Sequence, residues 1–313
     1  MNLPTSQLTK LSGDSAIECL MGQMIDYAGL FPPASLSMRA AVANYLAYSR
    51  SENKWALGRF IVPAARLTEF EKALGTLPAA EHDPKQWKLS VLLGPDPRAD
   101  VDHIQQFNER HSTLNPGTKV YIESVEAKVS SHDEVLRLGS LFSHGPEAYF
   151  ELPLSGCVHE LVAAAEGCWP RLKIRTGGET ADKIPTPKAV VEFLRFCVSA
   201  DLPFKATAGL HHPLRSVHRL TYEPDSPSAM MHGFLNVFLG AAFLRGGMDA
   251  ALAVDVLKEE TPSAFRFDTN GVSWREHRLG ARDLFLVRRD FAISFGSCSF
   301  TEPIDDLRTL GLL

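Results

Sequence analysis

Seven consecutive segments of this chain repeat one pattern, a short apolar run followed by a helix-length stretch with one apolar face. The apolar runs are mostly continuous rather than alternating, which is typical of parallel strands buried on both faces. Parallel strands connected through helices build α/β sheets and barrels. A length of 313 residues suits one α/β barrel with additions or two small domains. The repeated pattern leads us to predict a single (β/α)8 barrel domain over residues 1–313.

The eighth strand has two candidates in the sequence. One is GFLNVFLGAAF, around Asn236, and the other is residues 291–295 in FAISFGSCSF. We favour the second, since a Gly-Ser loop and a Pro-started helix at Pro303 follow it in the right order. Residues 214–290 then form an insertion between strands seven and eight. It should contain two packed helices over residues 229–258 and a hairpin at Asn270-Gly271.

Two of the predicted strands each carry one lysine, Lys173 in RLKIRTGG and Lys205 in LPFKATAGL. A helix-length segment opened by Pro185-Thr186-Pro187 separates them, so the two strands should be parallel neighbours. Side chains alternate along a strand, so other residues share a face with the lysines. These are Arg175, Gly177, Thr207 and Gly209.

If both lysines face the barrel interior, each ammonium group raises the cost of charging the other, and burial adds to that cost. A lysine with a depressed pKa is a nucleophile that forms Schiff bases with carbonyl compounds. The alternative is that each lysine extends from its strand end into solvent. Matching positions in consecutive strands favour the functional interpretation.

The segments LKIRTGG and FKATAGL resemble the sixth- and seventh-strand motifs of the deoxyribose-phosphate aldolase family. The resemblance implies that Lys173 forms the Schiff base and that Lys205 lowers its pKa. IDYAGLFPPASL is similar to the family's first-strand motif, which implies that Asp26 reaches the site. FGSCSF resembles the family's phosphate loop, which implies a role for Gly296 and Ser297.

The chain departs from this family at two places. The fourth strand, KVYIESVEAKV, has no Asp where the family has one, so either Glu123 or Tyr121 takes that place. Arg175 stands where the family has a small residue, which indicates a different or more acidic substrate. Glu151 ends the fifth strand and is the expected partner of the lysines, although a structural ion-pair network would also explain some of these charges. The expected substrate-binding residues are Arg175, Thr176, Gly177, Thr207, Gly209, His211, Gly296 and Ser297.

The composition of the chain limits the kinds of binding partner that we expect for the protein. A net charge of −5 gives no support for nucleic acid or a membrane surface. Five cysteines without a CxxC pair fit a reducing cytoplasm, and the first residues contain no apolar signal core. No HxH or HExxH spacing is present, so we expect neither metal nor cofactor. The expected partner is a small carbonyl compound or an anion, and a homo-oligomer stays open.

Three functions remain open from the sequence. The first is a Schiff-base lyase of the aldolase type, acting on a small carbonyl compound with or without a phosphate group. The second is an isomerase or lyase whose lysines transfer protons or anchor an anion, with or without a divalent metal. The third is a non-catalytic protein that binds a small anion on the same scaffold. A barrel alone does not choose among them.

Overall fold

The computed structural model describes residues 15–77, 86–113, 119–154, 158–168 and 170–313. Eight parallel strands close into a barrel with helices between them, which confirms the predicted (β/α)8 fold. Residues 1–14, which belong to the predicted single domain, lie outside the described residues.

The described strands alternate with helices up to β7 and then become short and antiparallel before the last barrel strand. They are β1 (Ile25–Tyr27), β2 (Leu57–Pro63), β3 (Gln86–Leu92), β4 (Lys119–Lys128), β5 (Glu147–Glu151), β6 (Arg171–Arg175), β7 (Phe204–Thr207), β8 (Ser216–Arg219), β9 (Ser228–Met231), β10 (Phe265–Asp268), β11 (Gly271–Trp274), β12 (His277–Gly280) and β13 (Ala292–Ser297). The α-helices are α1 (Ala16–Met21), α2 (Met38–Arg50), α3 (Leu67–Gly75), α4 (Pro97–Thr113), α5 (His132–Leu141), α6 (Val158–Glu166), α7 (Pro187–Ser199), α8 (Phe234–Arg245), α9 (Ala250–Lys258), α10 (Ala281–Asp290) and α11 (Thr301–Thr309).

The barrel closes through β13, which pairs in parallel with both β1 and β7. The order around the barrel is β1, β13, β7, β6, β5, β4, β3, β2. The second candidate for the eighth strand is therefore correct. Asn236 lies instead in helix α8, whose residues are buried on all sides except at Arg245. A helix that is apolar all round belongs in a core.

The segment between β7 and β13 adds three small units to the barrel. A two-stranded hairpin, β8–β9, comes first, and helices α8 and α9 pack on each other and on α7. A three-stranded antiparallel sheet, β10–β12, follows and contains the predicted turn before Gly271. The two helices occupy a shorter range than the predicted 229–258, because residues 228–231 form β9.

Asn236 joins these units to one another. Its Nδ2 donates hydrogen bonds of 2.8 Å to the carbonyl oxygens of Val256 and Glu259, at the end of α9. Its Oδ1 accepts a 2.8 Å hydrogen bond from the backbone N–H of Arg215, just before β8. Because Asn236 is fully buried, these bonds replace those that water would make with its amide and with its backbone partners. The position of the β8–β9 hairpin thus depends on the helices behind it.

Aromatic side chains fill the space between the barrel and helices α2 and α3. The ring of Tyr45 lies 4.8 Å from that of Trp87, and Phe60 lies 5.5 Å from Phe70. Tyr45 also donates a 2.8 Å hydrogen bond to the carbonyl oxygen of Gly58, so its hydroxyl is satisfied in the core. Full burial of each large apolar side chain contributes about 1.5–3 kcal/mol.

Within the part of the chain that the structure describes, no helix has an apolar stretch of the length that spanning a bilayer requires.

Candidate functional site at the carboxyl ends of the barrel strands

Lys173 and Lys205 stand side by side inside the barrel. Lys173 in β6 is in register with Lys205 in β7, which confirms the predicted parallel pair of strands. Lys173 is 3% exposed and Lys205 is 0% exposed. Because both ammonium groups are removed from bulk water, each requires a charged or polar partner within the barrel.

Glu126 in β4 lies between the two lysines and contacts both. Its Oε2 is 2.7 Å from Lys173 Nζ, and its Oε1 accepts a 2.6 Å hydrogen bond from Lys205 Nζ. Glu126 is itself buried. One carboxylate therefore bridges the two lysines that the sequence places together.

Each lysine also contacts a second carboxylate. Lys173 Nζ is 2.8 Å from Glu151 Oε2, and Lys205 Nζ donates a 2.6 Å hydrogen bond to Asp26 Oδ2. Glu151 also accepts a 3.0 Å hydrogen bond from Arg175 Nε. Acidic and basic groups thus alternate along one continuous line across the barrel. We call this line the charge chain, and its members in order of contact are Asp26, Lys205, Glu126, Lys173, Glu151 and Arg175.

Buried hydroxyl groups hold the carboxylates of the charge chain in place. Ser90 Oγ donates a 2.6 Å hydrogen bond to Glu126 Oε1 and accepts one of 2.8 Å from Ser124 Oγ. Ser294 Oγ donates a 2.7 Å hydrogen bond to Asp26 Oδ2. All three serines are fully buried. These bonds fix the direction of each carboxylate, so its contact with a lysine is geometrically defined.

The electrostatics around Glu126 and Lys205 favour the ionised forms of these two groups. Burial alone would raise the pKa of Glu126, but the charges of Lys173 and Lys205 and the hydrogen bonds to them lower it. Burial alone would lower the pKa of Lys205, but Asp26 and Glu126 raise it. The like-charge effect expected between the lysines therefore does not decide the pKa of Lys205, because Glu126 separates the two ammonium groups.

An irregularity in β4 explains why Glu126 rather than Glu123 meets the lysines. Leu89 of β3 pairs with Ile122, whereas Ser90 pairs with Ser124, so β4 contains one extra residue at Glu123. Such a bulge changes which face the following side chains occupy. Ser124 and Glu126 face the barrel interior after it, at the level of the lysines.

Glu123, a candidate acid–base residue from the sequence, lies elsewhere. Its carboxylate contacts Arg59 Nε at 2.6 Å and Lys88 Nζ at 3.2 Å, and it accepts a 3.1 Å hydrogen bond from Tyr121. Arg59 also contacts Glu147, the first residue of β5. The structure therefore places Glu123 in an ion-pair network nearer the amino ends of the strands. None of these contacts involves Lys173.

A cavity of about 1010 Å³ opens above the charge chain. Lys173 and Glu126 line its inner end, whereas Lys205 and Asp26 lie behind them and do not. The β8–β9 hairpin forms part of the wall, through Arg219 of β8 and through Leu220 and its neighbours in the loop between the two strands. A cavity of this volume is typical of small-molecule sites.

The predicted substrate-binding residues divide into two groups. Some line this cavity, and they are Arg175, Thr207, Gly209, His211 and Gly296. The others, Thr176, Gly177 and Ser297, are not among the lining residues. Glu151 faces an adjoining groove that it shares with Arg175.

Gly177 and Gly209 have a structural role that the sequence did not predict. A β-carbon on Gly177 would lie 2.9 Å from the Cα of Gly209, and one on Gly209 would lie 3.0 Å from the Cα of Gly177. Gly209 also has φ of +77°, a conformation that favours glycine. Thr176 Oγ1 donates a 2.6 Å hydrogen bond to the carbonyl oxygen of Ala208, which ties the same two loops together. The glycines therefore allow the ends of the two lysine strands to touch.

Basic side chains surround the mouth of the cavity. The cationic lining residues other than Lys173 are Lys128, Arg175, Lys183 and Arg219, and the acidic ones other than Glu126 are Glu179 and Glu302. Arg175 uses Nε to reach Glu151 and has a side chain that is 41% exposed. This excess of positive charge suits an anionic group on a ligand.

The residues of the predicted phosphate loop occupy the end of a strand. Gly296 and Ser297 are the last residues of β13, and Ser297 Oγ accepts a 3.3 Å hydrogen bond from the backbone N–H of Ser299. Glu302, in the first turn of α11, turns its carboxylate towards His211, with 3.0 Å between Oε2 and Nδ1. A negative side chain thus stands beside the loop for which the resemblance implies phosphate.

Among the described residues, no group of three or more His, Cys, Asp or Glu side chains is arranged to hold a metal ion. The three carboxylates nearest the lysines are engaged by ammonium groups instead. Comparison of the chain with protein-family models and with curated proteins finds no match to either. The fold itself is one that is commonly enzymatic, with active groups at the carboxyl ends of the strands.

Proposed function

We propose that this protein is a Schiff-base lyase of the aldolase type, acting on a small carbonyl compound that carries an anionic group. The observation that carries the proposal is the position of Lys173, whose Nζ lies between Glu126 and Glu151 at the inner end of the cavity. A ligand in the cavity meets this nitrogen, while Lys205 lies behind it. The resemblance of LKIRTGG and FKATAGL to the aldolase motifs supports the same roles.

Lys173 must pass a proton to a neighbour before its nitrogen can attack a carbonyl carbon. Carboxylate oxygens of Glu126 and Glu151 both lie within 2.8 Å of Lys173 Nζ, and either carboxylate can accept this proton. The amine then adds to the carbonyl carbon, and one of its protons moves to the oxygen. The oxygen leaves as water with the proton that the carboxylate had taken, so that a protonated C=N bond joins the substrate to Nζ. When the carbon–carbon bond one atom further breaks, its electron pair moves towards the protonated imine nitrogen and leaves an enamine on Lys173. A carboxylate of the site accepts the proton of the hydroxyl group on the departing carbon, which leaves as a carbonyl compound.

The surrounding charges suit this sequence of steps. A protonated imine keeps the single positive charge that the ammonium group had, so Glu126 and Glu151 retain a cationic partner. Lys205 stays with Asp26 and the other oxygen of Glu126 throughout. The site thus has little need to rearrange its charges when the covalent bond forms.

Arg175 gives the expected substrate preference. It lies two residues beyond Lys173 on the same strand and lines the same cavity. Its partly exposed guanidinium can pair with a carboxylate or phosphate of the substrate, since arginine presents several donors in a plane. A small keto acid or a phosphorylated aldehyde or ketone fits this arrangement.

Reductive trapping tests the proposal directly. The protein is incubated with a panel of small carbonyl compounds, each with or without an anionic group, and reduced with borohydride. Peptide mass spectrometry should find the adduct on the peptide that contains Lys173, with the anionic compounds trapped best. In Arg175→Ala this preference for anionic over neutral compounds should shrink, while trapping itself continues.

Lys173→Arg is the matched control, because it keeps a positive charge between Glu126 and Glu151. Trapping should disappear in this variant. An adduct that persists in it, or one that maps to Lys205, contradicts the assigned roles. If no compound of the panel forms an adduct with the wild-type protein, the Schiff-base proposal is wrong.

The same geometry favours one alternative. A lysine nitrogen that contacts two carboxylates is also suited to donate a proton to a bound anion and recover it from Glu126 or Glu151. The protein would then be a proton-transfer isomerase or lyase. Hydrogen–deuterium exchange at the carbon next to a substrate carbonyl, without any borohydride adduct, would favour this function.

A further inference from the structure

A second group of reactive side chains lies in the wall of the same cavity. Cys298 follows β13, His211 follows β7 and Glu302 lies in the first turn of α11. All three line the cavity, and none belongs to the charge chain. Three separate elements therefore bring a thiol, an imidazole and a carboxylate to one place.

The imidazole of His211 stands between the other two groups. Its Nδ1 lies 3.0 Å from Glu302 Oε2, and its Nε2 lies 4.0 Å from Cys298 Sγ. The hydroxyl of Tyr222, from the loop between β8 and β9, lies 3.5 Å from the same sulfur and donates a 3.2 Å hydrogen bond to Glu302. A nucleophile beside a base that a carboxylate orients is the arrangement used in covalent catalysis.

The electrostatics agree with this geometry. Burial raises the pKa of the Cys298 thiol. The hydrogen bond to His211 and the positive charge of that imidazole outweigh burial, so the pKa of Cys298 is lowered overall. Burial lowers the pKa of His211, but its hydrogen bonds to Cys298 and Glu302 raise it to about 9. Other titratable groups near the pair are Tyr27, His212, His218 and Tyr222. The thiolate is the nucleophilic form of cysteine.

We propose that Cys298, His211 and Glu302 form a second covalent site, at which the thiolate adds reversibly to the carbonyl carbon of a small aldehyde. A sulfur–carbon bond forms, the carbonyl π bond breaks, and the oxygen takes the proton from His211 Nε2. The product is a hemithioacetal, and no oxidant or reductant is needed. Glu302 is a positioning residue that orients His211. This site does not depend on the Schiff-base function of Lys173.

Alkylation of the unmodified protein with iodoacetamide tests the thiolate. At pH 7, timed peptide mass spectrometry should show Cys298 reacting at least about tenfold faster than Cys168, although Cys298 is the more buried of the two. His211→Gln should slow the reaction of Cys298 at pH 7 by about tenfold, with recovery at higher pH as the thiol ionises without help. Equal rates at Cys298 and Cys168 overturn the proposal.

Protection by propionaldehyde tests the aldehyde. Millimolar propionaldehyde should slow alkylation of Cys298 to the same degree in the wild-type protein and in Lys173→Arg. Protection that is absent from both proteins, or lost in Lys173→Arg, overturns the proposal, since the aldehyde then does not bind the sulfur. Borohydride adducts on Lys173 are measured separately, so failure of the Schiff-base function leaves this result unaffected.

Discussion

Lys173 and Lys205 are cross-strand partners in β6 and β7, but of the two only Lys173 reaches the cavity. The Nζ of Lys205 is enclosed by Asp26, Glu126 and the ring of Tyr149, whose centroid is 5.2 Å away. Of the two lysines, Lys173 is therefore the one that a ligand in the cavity can touch, while Lys205 lies behind it against Glu126.

Replacing Lys205 by methionine should slow imine formation at Lys173. Without Lys205, the negative charge of Glu126 is paired with the ammonium group of Lys173 alone, which stabilises the charged form and makes the neutral amine harder to form. We expect about a tenfold lower trapping rate at pH 7, which corresponds to about 1.4 kcal/mol, and partial recovery as the pH is raised. Lys88→Met, which removes a lysine that pairs with Glu123 instead, should leave the rate unchanged. A similar loss in both variants would contradict this role for Lys205.

Replacing Glu126 by glutamine should destabilise the fold strongly. The change leaves two buried lysines without their shared carboxylate, and removing one partner of a buried ion pair costs about 3–5 kcal/mol. Glu123→Gln is the matched control, since that carboxylate pairs with Arg59 and Lys88 at partial exposure and should cost about 1 kcal/mol. Urea unfolding at pH 7 measures both. Equal losses would mean that the bridge contributes no more than the outer network.

Acid should weaken the protein through Glu126. Its pKa in the folded state lies below the ordinary 4.5. Between these two pKa values, Glu126 is therefore protonated in the unfolded chain but still ionised in the folded protein. The resulting stability is present above pH 4.5 and is lost as the pH falls through the folded-state pKa. The difference in unfolding free energy between the wild type and Glu126→Gln, measured in urea between pH 3 and 7, should therefore shrink as the pH falls below 4.5. A constant difference across this range would count against the ionised bridge.

Replacing Asn236 by alanine should loosen the cavity wall. The change leaves the carbonyl oxygens of Val256 and Glu259 and the N–H of Arg215 without this partner, at a cost of about 3 kcal/mol. Amide hydrogen exchange should rise in the β8–β9 hairpin more than in the barrel strands. Asn44→Ala, which removes one hydrogen bond to Tyr27, is the control and should leave exchange of the hairpin unchanged. Protection that persists in the hairpin of Asn236→Ala would show that other contacts hold it.

The barrel was predictable because its strands are buried on both faces and alternate with amphipathic helices, which leaves a strong pattern in the sequence. The last barrel strand, β13, was predictable because a loop of glycine and serine and a helix that begins near a proline follow it. The strands β8, β9 and β12 were not predicted, since each has four residues and is partly exposed. Segments of that length carry too few apolar positions to show a period.

The site was predictable where strand pairing alone decides it. Glu151, Lys173 and Lys205 meet because β5, β6 and β7 are neighbouring parallel strands that hold them in register, whereas Asp26 reaches Lys205 from β1 across β13. Glu126 was missed because regular alternation assigns Glu123 to the inner face of β4. The extra residue that moves Glu126 inward appears only when β4 is paired with β3, and nothing in KVYIESVEAKV marks it.

The contact between Gly177 and Gly209 has an evolutionary consequence. Each glycine leaves no room for a side chain on the other, since a β-carbon on either one would lie only 2.9 or 3.0 Å from the Cα of its partner. A lineage that keeps these two strand ends together must keep both glycines, whatever becomes of its chemistry. Related sequences that have lost the paired lysines should therefore still carry the paired glycines, and a genome search for that residue combination would separate conservation of the strand contact from conservation of the lysine pair.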